Sequence, residues 1–297
     1  MRIRRSIAWT HGDDFERTKK QIDSECDAIT IDLEDAVVPS RKPQARAGAV
    51  KMLTEWDFRG KERIVRINGP ETKYYADDMR IVVAPGLPDA LRIPKCESAE
   101  MILQVDRDLK KIELDAGISP NTIEIIAMIE SPLGILKAYE IAACCERVTA
   151  LSIGMEDLTA EMEVPRCYET GTTDLLYARQ HVVLCAKAAG VQAIDSGFNK
   201  LCPLTFNRPY NEESRRMGFN GRSVRDGEQA KIANEIYGPM RDELDWAYRA
   251  VEAYERGDDE GNSEVYVDGR HMCAAAYLKA KKIIERNKCI NAKQYQV

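Results

Sequence analysis

The feature that most constrains this chain is a repeated alternation of short, apolar, β-type runs with longer amphipathic stretches. Strands separated by helix-length segments pair in parallel, because each crossover returns the chain to the same end of the sheet. The strand candidates are Ser6–Trp9, Ala28–Leu33, Arg63–Ile67, Ala90–Ile93, Ile123–Ile129, Val148–Ile153, Val191–Ile194 and Gly221–Val224. Between and after them, helices are expected at Phe15–Ser24, Pro43–Leu53, Tyr74–Val83, Ala99–Ala116, Gly134–Ala143, Thr172–Ala189, Glu212–Met217 and Asp226–Ile236. Eight such units in about 235 residues fit a (β/α)8 TIM barrel, an α/β fold, better than an open doubly wound sheet. No Gly-x-Gly-x-x-Gly follows the first strand and there is no Walker loop, which removes the usual open-sheet nucleotide binders.

After Pro239 come a helix of roughly Asp242–Arg256, a Gly/Asp/Asn-rich break at Gly257–Asn262, a short run at Val265–Val267 and a last helix near Ala274–Arg286. The expected division is a catalytic barrel domain over 1–238 and a C-terminal helical extension over 239–297. About 60 residues are too few for a second independent core, so an arm, lid or oligomer contact is expected. With 44% hydrophobic and 31% charged residues the chain is globular. A net charge of −6 argues against nucleic acid as a partner, and the lack of an apolar run of ~18 residues argues against a membrane. Nine scattered cysteines without a Cys-x-x-Cys, and no secretory h-region, point to reduced thiols in the cytoplasm and against structural zinc.

Barrel enzymes build their sites at the carboxyl ends of the strands. Here an ionisable residue closes or follows six consecutive apolar runs: Asp32-Leu33-Glu34-Asp35, Arg66-Ile67-Asn68, Pro94-Lys95, Glu130-Ser131-Pro132, Glu156-Asp157 and Asp195. Glu130 and Asp157 lie 27 residues apart, one βα repeat, so they belong on neighbouring strand ends. Two carboxylates with no His or Cys nearby make an all-oxygen site of the kind Mg²⁺ takes. The alternative is that each caps its following helix; for Glu130, Ser131 with Pro132 behind it is the better cap.

These motifs, together with Asp32-Leu33-Glu34-Asp35-Ala36-Val37, Ile129-Glu130-Ser131-Pro132-Leu133-Gly134, Gly154-Met155-Glu156-Asp157-Leu158 and Gly218-Phe219-Asn220-Gly221, resemble the signatures of the citrate lyase β-subunit-like family of the HpcH/HpaI aldolase superfamily. The resemblance runs in order from about Arg5 to Gly221 and weakly to Val267-Asp268-Gly269-Arg270. It implies a metal-dependent carbon–carbon lyase that reversibly cleaves a 3-hydroxyacyl-CoA, in the citramalyl-, malyl- or citryl-thioester range, through a metal-stabilised enolate. It also implies Mg²⁺, or another divalent cation such as Mn²⁺, held by Glu130 and Asp157. Arg66 matches the arginine that holds the oxo-acid product or its enolate, and Glu34 and Asp35 match an acidic second layer around metal-bound water. A fixed guanidinium beside a metal suits a developing oxyanion, and its fork suits a planar carboxylate. A structural ion pair of Arg66 with Glu34 or Asp35 is the competing reading, and the two roles can coexist.

Lys95, Arg5 and Lys19, with Lys20 beside it, are the basic candidates for the substrate and the phosphates of CoA. A homo-oligomer, trimer or hexamer, is expected. Two departures stand out. Thr10-His11-Gly12 replaces the family's Val-Pro-Gly, which puts His11 after strand one, as a surface residue or as an acid–base group. Near the end, Cys273 stands where the family often carries an Asp that reaches a neighbouring subunit's site. A free-acid aldolase without CoA and a non-catalytic subunit of a lyase complex are the competing readings.

Overall fold

In the computed structural model, described over residues 2–165, 173–197 and 207–294, eight parallel strands close on one another in sequence order. They are β1 (Ser6–His11), β2 (Ala28–Asp32), β3 (Glu62–Arg66), β4 (Ala90–Ile93), β5 (Glu124–Ile129), β6 (Val148–Ile153), β7 (Gln192–Asp195) and β8 (Gly221–Val224). Pairing of Ile7 with Ser223 seals β1 to β8. The expected (β/α)8 barrel is therefore the fold, and β1 runs two residues further than the sequence suggested, to His11.

The crossovers are α1 (Phe15–Asp23), α2 (Lys42–Glu55), α3 (Tyr75–Asp78) continuing through a π-helical turn to α4 (Ala84–Gly86), α5 (Ala99–Asp115), α6 (Pro132–Ala143), α7 (Met155–Glu161), α8 (Leu176–Ala188), α9 (Asn207–Met217) and α10 (Gly227–Tyr237). The wide turn at Met79–Val83 falls just before Pro85, which has no N–H to give the helix ladder. The short α7 was not foreseen, and the start proposed at Thr172 lies outside the described residues. α9 begins five residues before its expected start at Glu212.

Alternate residues of each strand face the barrel interior, and each interior layer takes four side chains from every second strand. Ile7, Ile64, Ile126 and Ile194 on the odd strands, with Ala28, Ala90 and Ala150 on the even ones, form one fully buried apolar cluster. Two residues further along come Trp9, Arg66, Met128 and Ser196 on the odd strands, and Thr30, Arg92, Ser152 and Ser223 on the even ones. The lower barrel is thus apolar and its upper two layers are largely polar. At the amino end, buried Arg4 bonds Glu62 at 2.6 and 2.8 Å and pairs with Glu124.

Residues Arg4–Asn234 form one compact unit, and Glu235–Val297 with the first three residues form another, so the division falls inside α10 rather than at Pro239. The second unit holds α11 (Arg241–Asp259), a two-strand hairpin of β9 (Tyr266–Val267) and β10 (Arg270–His271), and α12 (Ala274–Gln294). Asp268 and Gly269 turn the hairpin with φ of +50° and +74°, the left-handed pair that a two-residue hairpin turn requires. Contrary to expectation, this segment carries a small core of its own: Ala247, Ala250, Val267, Met272, Ala280 and Ile284. Two antiparallel helices with small residues at the contact approach closely enough to bury it.

One buried ion cluster fixes the entry to β5. Arg147 bonds Glu113 at 2.6 and 2.9 Å and Asp106 at 2.9 Å, while Glu113 also accepts from the backbone of Asn121 and Ile123. Burial raises the Glu113 pKa, but the Arg147 bonds outweigh it and hold the carboxyl below its ordinary value. Glu113→Gln should therefore cost ~1.5–3 kcal/mol at pH 7, measured by urea unfolding, because it weakens charge-assisted hydrogen bonds to a buried guanidinium that keeps Asp106 as its carboxylate partner. The gap between variant and parent should begin to close as the pH falls below about 4.3, where the unfolded carboxyl takes up a proton, and be gone once the pH has fallen through the lower pKa of the folded state.

Candidate active site

Glu130 follows β5 and is 2% exposed. Ser131 caps α6, its Oγ accepting from the Gly134 N–H at 3.0 Å with Pro132 next in line, so the Glu130 carboxylate is free of capping duty. Its Oε1 accepts from the backbone N–H of Lys95 at 2.7 Å. Its Oε2 is buried with no hydrogen-bond partner. Burial, with the charge of Asp157 adding to it, pushes the Glu130 pKa up to about 7. Lys95 has a φ of +50°, a left-handed conformation that costs energy for a residue with a Cβ and that aims its N–H at the carboxylate.

Asp157 sits in the first turn of α7, whose cap is Gly154 without a side-chain bond. It is half-buried and makes no ion pair among the described residues. Gly154 is required by space: a Cβ there would lie 2.3 Å from Glu130 Oε2. An orphaned buried oxygen facing a second unpaired carboxylate suits a hard divalent cation such as Mg²⁺, which accepts two carboxylates and completes its shell with water and substrate. Among the described residues no group of three or more His, Cys, Asp and Glu converges on one point, so a cation here would have these two carboxylates to draw on.

Arg66, at the end of β3, is held on both sides. Its Nε and Nη2 bond the two oxygens of Asp32 at 2.7 and 2.6 Å, and its Nη1 pairs with Glu34 at 2.9 Å. The ion-pair partner expected as Glu34 or Asp35 is thus Asp32 first and Glu34 second. The fork that was to grip a substrate carboxylate is spent on Asp32, leaving single N–H groups of Nη1 and Nη2 for a ligand. Lys95 Nζ bridges Glu34 at 2.9 Å and Asp35 at 2.8 Å. Neither Glu34 nor Asp35 lines either of the two cavities that reach Glu130; they touch Arg66 and Lys95 instead.

Two cavities meet at Glu130 and Asp157. One, of about 840 Å³, is rimmed by Glu71, Glu97, Glu100 and Glu161, with Lys95 and Arg107 as its cations. The other, of about 490 Å³, is lined by Trp9, Arg66, Arg92, Ser152 and Ser223 below and by His11, Arg17 and Arg225 above. Asp32, Glu130, Glu156 and Asp157 line the second as well, so its four arginines are matched in number by four carboxylates. His11, the last residue of β1, is therefore on the cavity wall rather than at the outer surface. Arg5 is at the opposite end of the barrel, where Asp27 takes its Nε and Nη2 at 2.9 Å each. Lys19 is exposed on α1, over the Trp56 ring, and lines neither cavity.

Sequence reasoning missed Arg92 and Trp9. Arg92 is fully buried in β4 and bonds hydroxyls only: Ser223 at 3.1 Å, Thr30 at 3.5 Å and Ser152. Its Nε has no partner and it makes no ion pair among the described residues. Burial, and then repulsion by Arg66, push its pKa down to about 9. The Trp9 ring lies 4.6 Å from the Arg92 Cζ and 4.8 Å from the Arg66 Cζ. Such stacking is worth about 2 kcal/mol when desolvated, less than the several kcal/mol that burying a cation costs. The available signal was an arginine at an inward-facing position inside an apolar run.

The model of the HpcH/HpaI aldolase/citrate lyase family matches residues 5–226. The chain belongs to this family. Citrate lyase subunit beta of Leuconostoc mesenteroides is 30% identical over 284 residues, covering 96% of this chain and 93% of that one. A (3S)-malyl-CoA thioesterase of Cereibacter sphaeroides is 31% identical over 291 residues, covering 97% and 96%. Among solved structures, CitE of Mycobacterium tuberculosis in complex with magnesium, acetoacetate and coenzyme A superposes with a TM-score of 0.75 at 22% identity, covering 95% of this chain and 97% of that one. The HpcH/HpaI barrel thus accounts for the fold from Arg5 to Asp226. Within it, the closeness of Gly154 to Glu130 sets a test. Gly154→Ala should leave the protein folded yet weaken Mg²⁺ binding by ~10–100-fold in calorimetry, because the added methyl displaces the carboxylate.

Proposed function

We propose that this protein is a Mg²⁺-dependent carbon–carbon lyase that reversibly cleaves a 3-hydroxyacyl thioester of CoA. The observation that carries the reading is the buried, unpartnered Glu130 oxygen facing Asp157 beside Arg66, at the carboxyl end of an HpcH/HpaI barrel. Relatives named for citrate lyase, (3S)-malyl-CoA thioesterase and human mitochondrial citramalyl-CoA lyase, the last 28% identical, support the substrate class. A divalent cation held by Glu130 and Asp157 would supply Lewis-acid polarisation of substrate oxygens. Arg66, kept charged and oriented by Asp32 and Glu34, offers its remaining N–H groups to the oxyanion that develops as the C2–C3 bond breaks. The apolar side of Met128 and Trp9 keeps water from the reacting carbons. At the mouth, Arg17 and Arg225 take the phosphate-facing role assigned in the sequence to Arg5 and Lys19. The free thiols, including Cys26, Cys96 and Cys185, suit a reducing cytoplasm.

The decisive assay mixes acetyl-CoA with glyoxylate, pyruvate or oxaloacetate in Mg²⁺ and follows thioester product. Turnover is expected with metal and lost on chelation. Turnover on free hydroxy-oxo acids alone would instead make it an aldolase without CoA. Arg66→Lys should lose ~10²–10³-fold in kcat, because an ammonium cannot keep the Asp32 and Glu34 contacts while pointing at the oxyanion.

We also propose that the working form is a homo-oligomer, trimer or hexamer. The support is the apolar surface of the C-terminal unit, where Tyr248, Tyr266 and Leu278 are 49%, 57% and 57% exposed. Light scattering of the full chain should show more than one protomer; a monomer at assay concentration overturns it. Cys273 precedes α12, and backbone N–H groups of Ala276 and Ala275 hold its thiol below its ordinary pKa. Cys273→Ala is expected to keep cleavage within a few-fold of the parent, since a helix-capping thiol is no substitute for a carboxylic acid.

A further inference from the structure

The upper even-strand layer of the barrel, Thr30, Arg92, Ser152 and Ser223, is unusual in what it does with a charge. A cation has been placed at the cavity floor with no carboxylate bonded to it among the described residues. The Glu130, Asp32 and Asp157 carboxylates of the same cavity have other assignments: Asp32 is taken by Arg66, and the other two face each other. Arg92 is left with three neutral hydroxyls, one indole face and an unpartnered Nε. Two of those hydroxyls, Ser152 and Ser223, also line the cavity, so they and Arg92 present one polar floor to whatever enters. Hydroxyls can turn to donate to an anion as readily as they now accept from the guanidinium. Both Nη2 hydrogens go to Ser152 and Ser223, so Arg92 offers an anion its Nε–H and one Nη1–H, with the two hydroxyls as further donors.

We propose that Arg92, with Ser152 and Ser223, is a carboxylate subsite that takes a second free carboxylate of the acyl group, beyond the one on the hydroxyl-bearing carbon. The inference rests on the lyase reading for the word substrate, but the subsite itself does not. The layer below is apolar, so the subsite is the closed end of the cavity and the second carboxylate is the part of the ligand that enters furthest. A monocarboxylic acid would leave the Arg92 charge uncompensated and gains nothing from it.

Binding separates this proposal from the question of turnover. Calorimetric titration in Mg²⁺ uses (S)-malate and (S)-lactate, which differ by one carboxyl group. The parent should bind malate at least ~30-fold more tightly than lactate. Arg92→Met should remove that preference while changing lactate affinity less than three-fold, and Ser223→Ala should weaken malate alone by several-fold. Thermal unfolding supplies a second reading. Without ligand, Arg92→Met should melt at or above the parent's temperature, because an unpaired buried charge has been replaced by an apolar side chain. Malate should raise the melting temperature of the parent by more than lactate does, and that of the variant by no more than lactate does. Equal affinity of the parent for the two acids, or a variant that loses stability but keeps the malate preference, would overturn the subsite and make Arg92 a structural residue. Either result leaves the thioester assay to decide the lyase reading by itself.

Discussion

A closed eight-stranded barrel admits four side chains to each interior layer, and the character of this molecule follows from which four it admits. Isoleucine on the odd strands and alanine on the even strands interlock below, large against small, and leave no room for water. That apolar floor makes everything above it electrostatically expensive. Arg66 and Arg92 sit in layers where a purely structural barrel would carry valine or leucine, and their charges act at short range in a poorly screened space. The carboxyl ends of the strands then deliver Asp32, Glu130 and Asp157 into the same field.

The charges in that field are unequally satisfied, and the inequality is informative. Arg66 is neutralised by Asp32 and Glu34, which makes it a rigid, permanently charged pointer rather than a free clamp. Glu130 and Arg92 are each left with a buried polar atom unpaired. Natural structures rarely leave such atoms without a reason. One is an acceptor beside another carboxylate and the other is a donor among hydroxyls, so the cavity has a place for a cation and a place for an anion.

The strand pattern made the barrel legible in the sequence, because eight apolar runs at one βα spacing have few other ways to bury themselves. Glu130 and Asp157 were legible for a related reason: each closes or follows an apolar run, where a parallel barrel must open to solvent. Arg5 was misplaced because it precedes its strand, and in a parallel barrel the residues before a strand lie at the far end. Asp32 is the partner that the pattern favours over Glu34 and Asp35, because it still lies within β2 and keeps the inward register of Thr30. Arg92 escaped notice because strand ends were searched and strand interiors were not. The small core of the C-terminal unit was hidden by composition: it is built on Ala247, Ala250 and Ala280, which carry little hydrophobic signal in a sequence.

The chain has three tryptophans, and their surroundings differ sharply. Trp56 lies against Phe15 and under Lys19 on the outside of the barrel, and Trp246 is in the C-terminal unit with Lys279 near its ring. Trp9 alone is set in the cavity wall against two guanidinium groups. Indole emission energy follows the local electric field, so an anion arriving beside Arg66 or Arg92 changes the light Trp9 emits while the other two report a constant background. The molecule thus carries its own optical gauge of cavity filling, set between two guanidinium groups.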